Sequence, residues 1–328
     1  MTLCLTLTLT ACASSGVAPT PQPAHARPTP GQPFVPTSRY PTYPVGVRLL
    51  DLHHGPSRPL PTLVFYPARR PSPTTWPGFA PMAGPDRAPA SRGRGRSGRG
   101  LDYPGVREVA GTALRPAPGR FPLVLFCHGL SGSPERYAAA LASFASAGFV
   151  VVAPTFPHTS EFTGDFRRAD IARQPADARF VLDRMRRLNL TAGDPLRHRI
   201  DTDRIAVIGH SAGGYTASGL LSAGHDPRIR AGVIMAGWAA PGAFAGPPAT
   251  ILFLQGTADP LVPVAVSRAA YARVPWPKSY LLLRRDSHAT YLRPGDRGYR
   301  RMRSIVLNFL RWTLDRDVAA GRRLPRAE

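Results

Sequence analysis

Apolar residues along this chain concentrate in short stretches at 121–126, 149–153, 205–208, 231–235, 250–254 and 279–283. Each is too short to stand as a helix, and a continuous apolar run of this length is the pattern of a strand buried on both faces. Between the runs the apolar positions change to a spacing of three and four. Tyr137, Leu141 and Phe144 share one helix face, as do Val181, Leu182, Met185 and Leu188, and as do Met302, Ile305, Val306, Phe309, Leu310 and Thr313. A further helix is expected over 264–274. Local punctuation agrees: Ser133-Pro134 and Pro175 open helices, Gly148 stops one, and Gly224 caps the helix that follows residue 211. Strands alternating with helices predict βαβ units, hence an α/β fold built on a mostly parallel, doubly wound sheet with its chemistry beyond the strands' carboxyl ends.

Upstream, residues 45–52 and 59–66 read as two strands joined by the turn His54-Gly55-Pro56-Ser57, and they predict an antiparallel N-terminal edge to the sheet. Residues 68–120 contrast with both sides. They carry ten arginines against three acids, an Arg-Gly repeat at 92–100 and almost no apolar periodicity, which predicts a mobile, solvated insertion outside the chemical machinery. Residues 1–16 are apolar and Thr-rich and end in small residues, as a secretory signal does. Residues 17–42 are rich in Pro, Thr and Ala, the composition of an extended tether. One domain is therefore expected over 43–316, with a tail at 317–328.

Charge changes this picture little. The formal charge of +22 rests almost wholly on arginine, Lys278 being the only lysine. No nucleic-acid binding module is recognisable, so the charge reads as an Arg-biased composition suited to anionic envelope surfaces, and no nucleic-acid partner is expected. No stretch is long and apolar enough for an internal membrane span. Cys4 and Cys12 lie in the leader and Cys127 ends a buried run, so no disulfide framework is implied and Cys127 reads as a small hydrophobe.

Candidate chemistry gathers where the run at 205–208 meets Gly209-His210-Ser211-Ala212-Gly213 and helical spacing resumes at once. A G-x-S-x-G between strand and helix puts a serine on a strained turn, with the free N–H groups of a new helix beside it. Such a serine needs a base, and the base needs an acid to fix its tautomer. Asp259 stands just past the run at 250–254 and His288 just past that at 279–283. Ser211 is thus the expected nucleophile, His288 the base and Asp259 the orienting acid. The backbone N–H groups of Ala212 and of Leu130, in the loop after 121–126, are the expected oxyanion donors. His128 belongs to that loop, and His158 lies on the loop after 149–153, placed to border the pocket. His210 is expected to point away from Ser211. Asp226 comes too early in the order, and Asp286 too close to His288 in sequence, to serve as the acid. The His53-His54 pair lacks the company of a metal site, so neither metal nor cofactor is expected.

The segments PVGVRLLDL, RPLPTLVFYPA, PLVLFCHGLSGSPERY, QPADARFVLD, DRIAVIGHSAGGYT, ILFLQGTADPLVP and the late Asp286-Ser287-His288 resemble the bacterial dienelactone-hydrolase-related esterases and the platelet-activating-factor acetylhydrolase branch of the α/β-hydrolases. The resemblance spans roughly 43–314 without the Arg-Gly insertion. Dienelactone hydrolases carry a cysteine where Ser211 stands, which argues against that reaction. Gly237-Trp238 is similar to the aromatic position lining the groove of bacterial cutinase-like polyester hydrolases. The resemblance implies an α/β-hydrolase fold and a cofactor-free serine carboxylic-ester hydrolase that works through an acyl-enzyme, with Trp238 and His158 at its pocket. Leu9-Thr10-Ala11-Cys12 resembles the lipobox of bacterial lipoproteins, although the leader has no Lys or Arg. It implies lipidation at Cys12 and a place outside the cytoplasm, anchored at the cell membrane or secreted; a monomer is expected. The loop 239–248 is short and offers only Phe244 as a large apolar group, so short-acyl or extended esters are expected rather than long-chain lipids. Two other readings stay open: a non-catalytic envelope-binding lipoprotein on the same scaffold, and a peptidase or thioesterase with the same triad.

Overall fold

Every residue of strand β4, Phe121–Cys127, is buried, and so is every residue of β5, Val150–Pro154. Side chains alternate across a strand, so burial at every position requires cover on both faces of the sheet. The computed structural model describes residues 40–70 and 100–325. Its other strands are β1 Val45–His53, β2 Pro59–Pro67, β3 Gly111–Thr112, β6 Ile200–His210, β7 Ile229–Met235, β8 Thr250–Gly256 and β9 Lys278–Leu283. Among the described residues they form a nine-stranded sheet in the order β3-β1-β2-β5-β4-β6-β7-β8-β9, parallel from β5 onward.

Helices α2 Ala138–Ser146, α3 Gln174–Leu188, α4 Ala212–Gly219, α5 Val264–Ala272 and α6 Tyr299–Leu314 supply the cover. On one face Val181, Met185, Ala217 and Ala270 pack with Leu123, Leu125 and Val207. On the other, Leu141, Phe144, Ile305 and Phe309 pack with Val124, Phe126 and Ile208. The helical stripes expected at Tyr137–Phe144, Val181–Leu188 and Met302–Leu310 are thus the buried ones. This is the doubly wound α/β-hydrolase architecture.

The N-terminal hairpin is present with one adjustment. Strand β2 is antiparallel to both β1 and β5, so β1 runs with the main sheet, and the outermost place belongs to β3, parallel to β1. Part of the expected insertion is therefore packed. Residues 71–99, with most of the Arg-Gly repeat, lie outside the described residues. Residues 100–120 form α1, Pro104–Arg107, and β3, and they bury Val106 and Ala117. The Gly100 N–H donates to Glu135 Oε1 at 2.8 Å and the Ala117 N–H to the Pro67 carbonyl at 2.9 Å. Isolated apolar residues without a period gave no signal of this in the sequence.

Two termini also shift. Helix α4 ends at Gly219 rather than at Gly224, because the Leu221 N–H turns back to the Ser218 carbonyl at 3.0 Å in a tighter turn. The region expected as a tail continues into α7, Val318–Arg322, whose first turn is capped by the Asp317 carboxylate on the Ala320 N–H at 2.9 Å and which buries Ala320. Tyr40 docks on this corner: its ring lies 3.3 Å from the Arg311 guanidinium carbon, and its hydroxyl bonds Asp317 and Arg323. Nearby, Asp315 accepts from Arg204 of β6 at 2.6 Å. The leader, Cys12 and the tether up to residue 39 lie outside the described residues. Among those described, no helix is long and apolar enough to cross a membrane.

Candidate active site

The elbow is built by exclusion of side chains. Ser211 has φ 56° and ψ −122°, a strained conformation that its surroundings impose. A Cβ on Gly209 would strike the Gly213 carbonyl, and one on Gly213 would strike the Cys127 carbonyl at the end of β4. The strand end, the turn and the first turn of α4 can interlock only with glycine at both places. The Ser211 N–H is held by the Met235 carbonyl of β7 at 2.9 Å, and the Gly214 N–H returns to the Ser211 carbonyl at 2.8 Å.

Asp259 and His288 arrive from beyond the ends of β8 and β9. His288 Nδ1 lies 2.8 Å from Asp259 Oδ2, and the Asp259 side chain is fully buried. The other carboxylate oxygen, Oδ1, accepts the Leu261 and Val262 N–H groups at 2.9 and 3.0 Å. Burial works to raise the Asp259 pKa, but the Val262 amide, His288 and the Leu261 amide outweigh it and hold the carboxyl below its ordinary value. An ionised acid on Nδ1 makes that nitrogen the donor and leaves His288 Nε2 as the basic one. His288 is seated over the elbow, its ring centroid 4.7 Å from that of His210. The Ser211 hydroxyl has no hydrogen-bond partner among the described residues.

The loop after β4 lies against Ser211. A Cβ on Gly129 would stand 3.0 Å from Ser211 Cβ, so this loop approaches as closely as it does because residue 129 has none. The Ser131 and Gly132 N–H groups are taken by the Thr159 and Gly129 carbonyls, at 2.7 and 3.1 Å, and the Leu130 N–H between these partners meets no acceptor among the described residues. Ala212 opens α4, so its N–H has no partner inside the helix. His128 staples the loop to the end of β5: Nδ1–H donates to the Gly129 carbonyl at 2.8 Å and Nε2 accepts the Phe156 N–H at 3.0 Å. Burial lowers its pKa to about 4, so it is neutral near pH 7.

The remaining expectations separate. Gly237 packs on the elbow, a Cβ there standing 3.0 Å from the Ser211 carbonyl oxygen. Trp238 next to it is half-buried, its ring 6.3 Å from Tyr215. The loop of His158 adjoins the Leu130 loop through Thr159, but the His158 imidazole turns to Asp165, 3.3 Å from its carbonyl and 3.5 Å from its carboxylate. No contact brings it to Ser211. Cys127 is buried and unpaired, and burial raises its pKa. Asp226 pairs with Arg228, and Asp286 accepts from Thr290. His54 leaves His53 to bond Asp177 and stack on Phe180. No cluster of metal-ligating side chains occurs among the described residues.

Two contributors escaped the sequence reading. Gln255, at the end of β8, donates its amide to Asp259 Oδ2 at 3.0 Å and to the Val262 carbonyl at 3.0 Å, closing the acid's fourth hydrogen bond. The only signal was a polar residue at the close of an apolar strand, four places before the acid. Tyr137 sits on the core-facing stripe expected from its spacing, and its hydroxyl also lies 2.9 Å from His210 Nδ1.

A family model described as PETase, PET hydrolase-like, matches residues 136–319, more than half of the chain. The match includes Ser211, Asp259 and His288 and begins after Leu130. It reaches the cutinase-like branch to which Gly237-Trp238 is similar, and nothing in it singles out dienelactone hydrolases or platelet-activating-factor acetylhydrolases. No curated protein matches the chain.

Proposed function

Because this chain belongs to the PET hydrolase-like family, and is thereby a serine carboxylic-ester hydrolase of the α/β-hydrolase fold, we propose that Ser211, His288 and Asp259 are its triad and that its substrates are short-acyl or extended polymeric esters. The observation that carries the triad is the buried Asp259–His288 hydrogen bond with His288 seated on the elbow. Ser211 Oγ attacks the ester carbonyl while His288 Nε2 takes its proton, and Asp259 steadies the imidazolium that forms. The Ala212 and Leu130 N–H groups receive the oxyanion. The alcohol leaves with the proton from His288. Water, activated by the same histidine, then releases the acid from Ser211.

The substrate class rests on two supports. The family's name points to aromatic polyesters of the PET kind. The connection from β7 to β8, residues 236–249, forms no helix, and Phe244 within it is 4% exposed, packed on Phe253 and Trp276. That loop therefore builds no apolar lid for a long acyl chain. Trp238, beside the elbow, is the aromatic surface such a substrate would meet. The lipobox-like Leu9-Thr10-Ala11-Cys12 supports a location outside the cytoplasm, anchored through Cys12; membrane retention of a Cys12→Ala variant would end that part of the proposal.

A fluorophosphonate probe should label Ser211, and Ser211→Ala should abolish both labelling and turnover of nitrophenyl butyrate. Across a nitrophenyl series kcat/KM should peak between acetate and hexanoate. A steady rise from butyrate to palmitate would overturn the short-acyl assignment.

A further inference from the structure

His210 occupies the second place of the elbow, and its two ring nitrogens reach two other parts of the site. Nε2 lies 2.8 Å from the main-chain carbonyl oxygen of His288, and Nδ1 lies 2.9 Å from the Tyr137 hydroxyl. A carbonyl can only accept, so Nε2 carries the hydrogen. Burial and the neighbouring His288 push the His210 pKa down to about 3, so the ring is neutral across the working range. Nδ1 is then a lone-pair acceptor and Tyr137 O–H must donate to it. The tautomer is fixed from one side and used on the other. His210 is 4% exposed and Tyr137 7%, so water does not compete for either bond.

We propose that His210 is a positioning residue for the hydrolysis: from inside the elbow that bears Ser211, it holds the main chain of His288 in register with the nucleophile, with Tyr137 fixing the tautomer it needs. The inference rests on the Ser211–His288–Asp259 reading given above. Its physical basis is that Asp259 grips His288 at Nδ1 alone, and one hydrogen bond leaves the ring free to swing about it. The bond from His210 pins the backbone of the same residue, so His288 is held at two points. The segment that carries it, between β9 and α6, is otherwise tied down ahead of His288, with one bond that spans it. The Arg285 N–H bonds Thr257 Oγ1 at 2.8 Å, the Asp286 carbonyl takes the Ala258 N–H at 2.9 Å and the Ser287 N–H bonds Thr290 Oγ1 at 2.9 Å. At His288 itself the main-chain partner is His210. Tyr137 extends the line to the loop on the other side of the nucleophile: its hydroxyl stands beside the Gly129 amide, next to Leu130. Nucleophile, base and oxyanion loop are thereby tied to one ring.

Displacement of a catalytic group by about 1 Å can cost on the order of 10²-fold in rate, so the loss of one of two restraints should be visible. His210→Phe keeps an aromatic ring and removes both nitrogens. Its kcat on nitrophenyl butyrate should fall about tenfold or more with KM within about twofold, the split expected when transition-state geometry alone is lost. His210→Gln returns an N–H donor toward the His288 carbonyl and should recover kcat to within about threefold of the parent, a rescue that simple packing would not produce. The far-downfield proton signal of the His288–Asp259 bond should broaden in His210→Phe and sharpen again in His210→Gln. Wild-type kcat in His210→Phe, or a His210→Gln no better than it, would overturn the proposal. Should His210→Phe fail to fold, Tyr137→Phe carries the test: freeing the tautomer should lower kcat threefold or more, about the cost of one hydrogen bond, and an unchanged kcat would overturn it. Retained activity in Ser211→Ala would instead sink the triad reading, so the two failures are distinguishable.

Discussion

His288 Nδ1 and Asp259 Oδ2 stand 2.8 Å apart across twenty-nine residues of sequence, and the carboxylate is anchored from three further directions. An acid held this firmly fixes which nitrogen of His288 is basic. In Asp259→Asn the amide can present a hydrogen to Nδ1 and invert the tautomer, so kcat on nitrophenyl butyrate should fall by about 10⁴. A loss under tenfold would mean that another group orients the histidine. Gln255→Leu removes a single donor from Oδ2 and should cost about 1 kcal/mol, roughly a fivefold loss in kcat. Combined with Asp259→Asn it should add almost nothing.

The two buried neutral histidines make the fold acid-sensitive. His128 and His210 are held to about 4 and about 3, whereas in the unfolded chain each returns to roughly 6.5. As pH falls below that value the unfolded state binds protons that the folded state refuses, so stability is complete above about pH 6.5 and declines until the folded values are reached. The slope is about 1.4 kcal/mol per pH unit for each group over that window. Thermal melts between pH 8 and pH 4.5 should show Tm level at first and then falling, with a shallower fall in His210→Phe. A Tm flat from pH 7 to pH 5 would contradict this. Over the same range neither histidine titrates in the folded enzyme, so the acid limb of kcat/KM should have the slope of a single ionisation.

Arg58 lies between two buried aspartates, bonded to Asp170 at 2.9 and 2.8 Å and to Asp177 at 2.7 and 2.5 Å. It fastens the β1–β2 turn to the start of α3. Arg58→Met would strand the Asp170 carboxylate in the interior and leave Asp177 with His54 alone, at a cost of about 3–5 kcal/mol, lowering Tm on the order of 10 °C. Adding Asp170→Asn and Asp177→Asn should recover most of that loss. A Tm within 2 °C or so of the parent in Arg58→Met would show that water already reaches the cluster.

What the sequence could reveal follows from the range of each interaction. The placement of Ser211, Asp259 and His288 beyond strand ends was legible because each follows an apolar stretch, and the sheet order brings those ends together. Gly209 and Gly213 were legible as turn glycines, since the strain they relieve is local. Gln255, Tyr137 and the Arg58 cluster were not, because their roles depend on side-chain partners from 4 to 119 residues away that no hydrophobic period or turn signal marks. Residues 100–120 were misjudged for a related reason: two or three apolar side chains suffice to dock a segment on a finished core, but they leave no period. Gly224 carries a positive φ as a capping glycine would, yet α4 had already ended at Gly219. His158 shows the converse, a loop correctly placed whose side chain chose Asp165.

The Tyr40 contact fixes the pole of the domain at which the chain enters it. Its partners Arg311, Asp317 and Arg323 cluster with Asp315, which meets Arg204 in the first half of β6, while Ser211 follows the last residue of that strand. Along a strand the distance from Arg204 to Ser211 is about 23 Å, so the two mark opposite poles. A bead or fused carrier joined close ahead of Tyr40 is therefore expected at the pole away from Ser211, leaving the strand ends beside Ser211 uncovered.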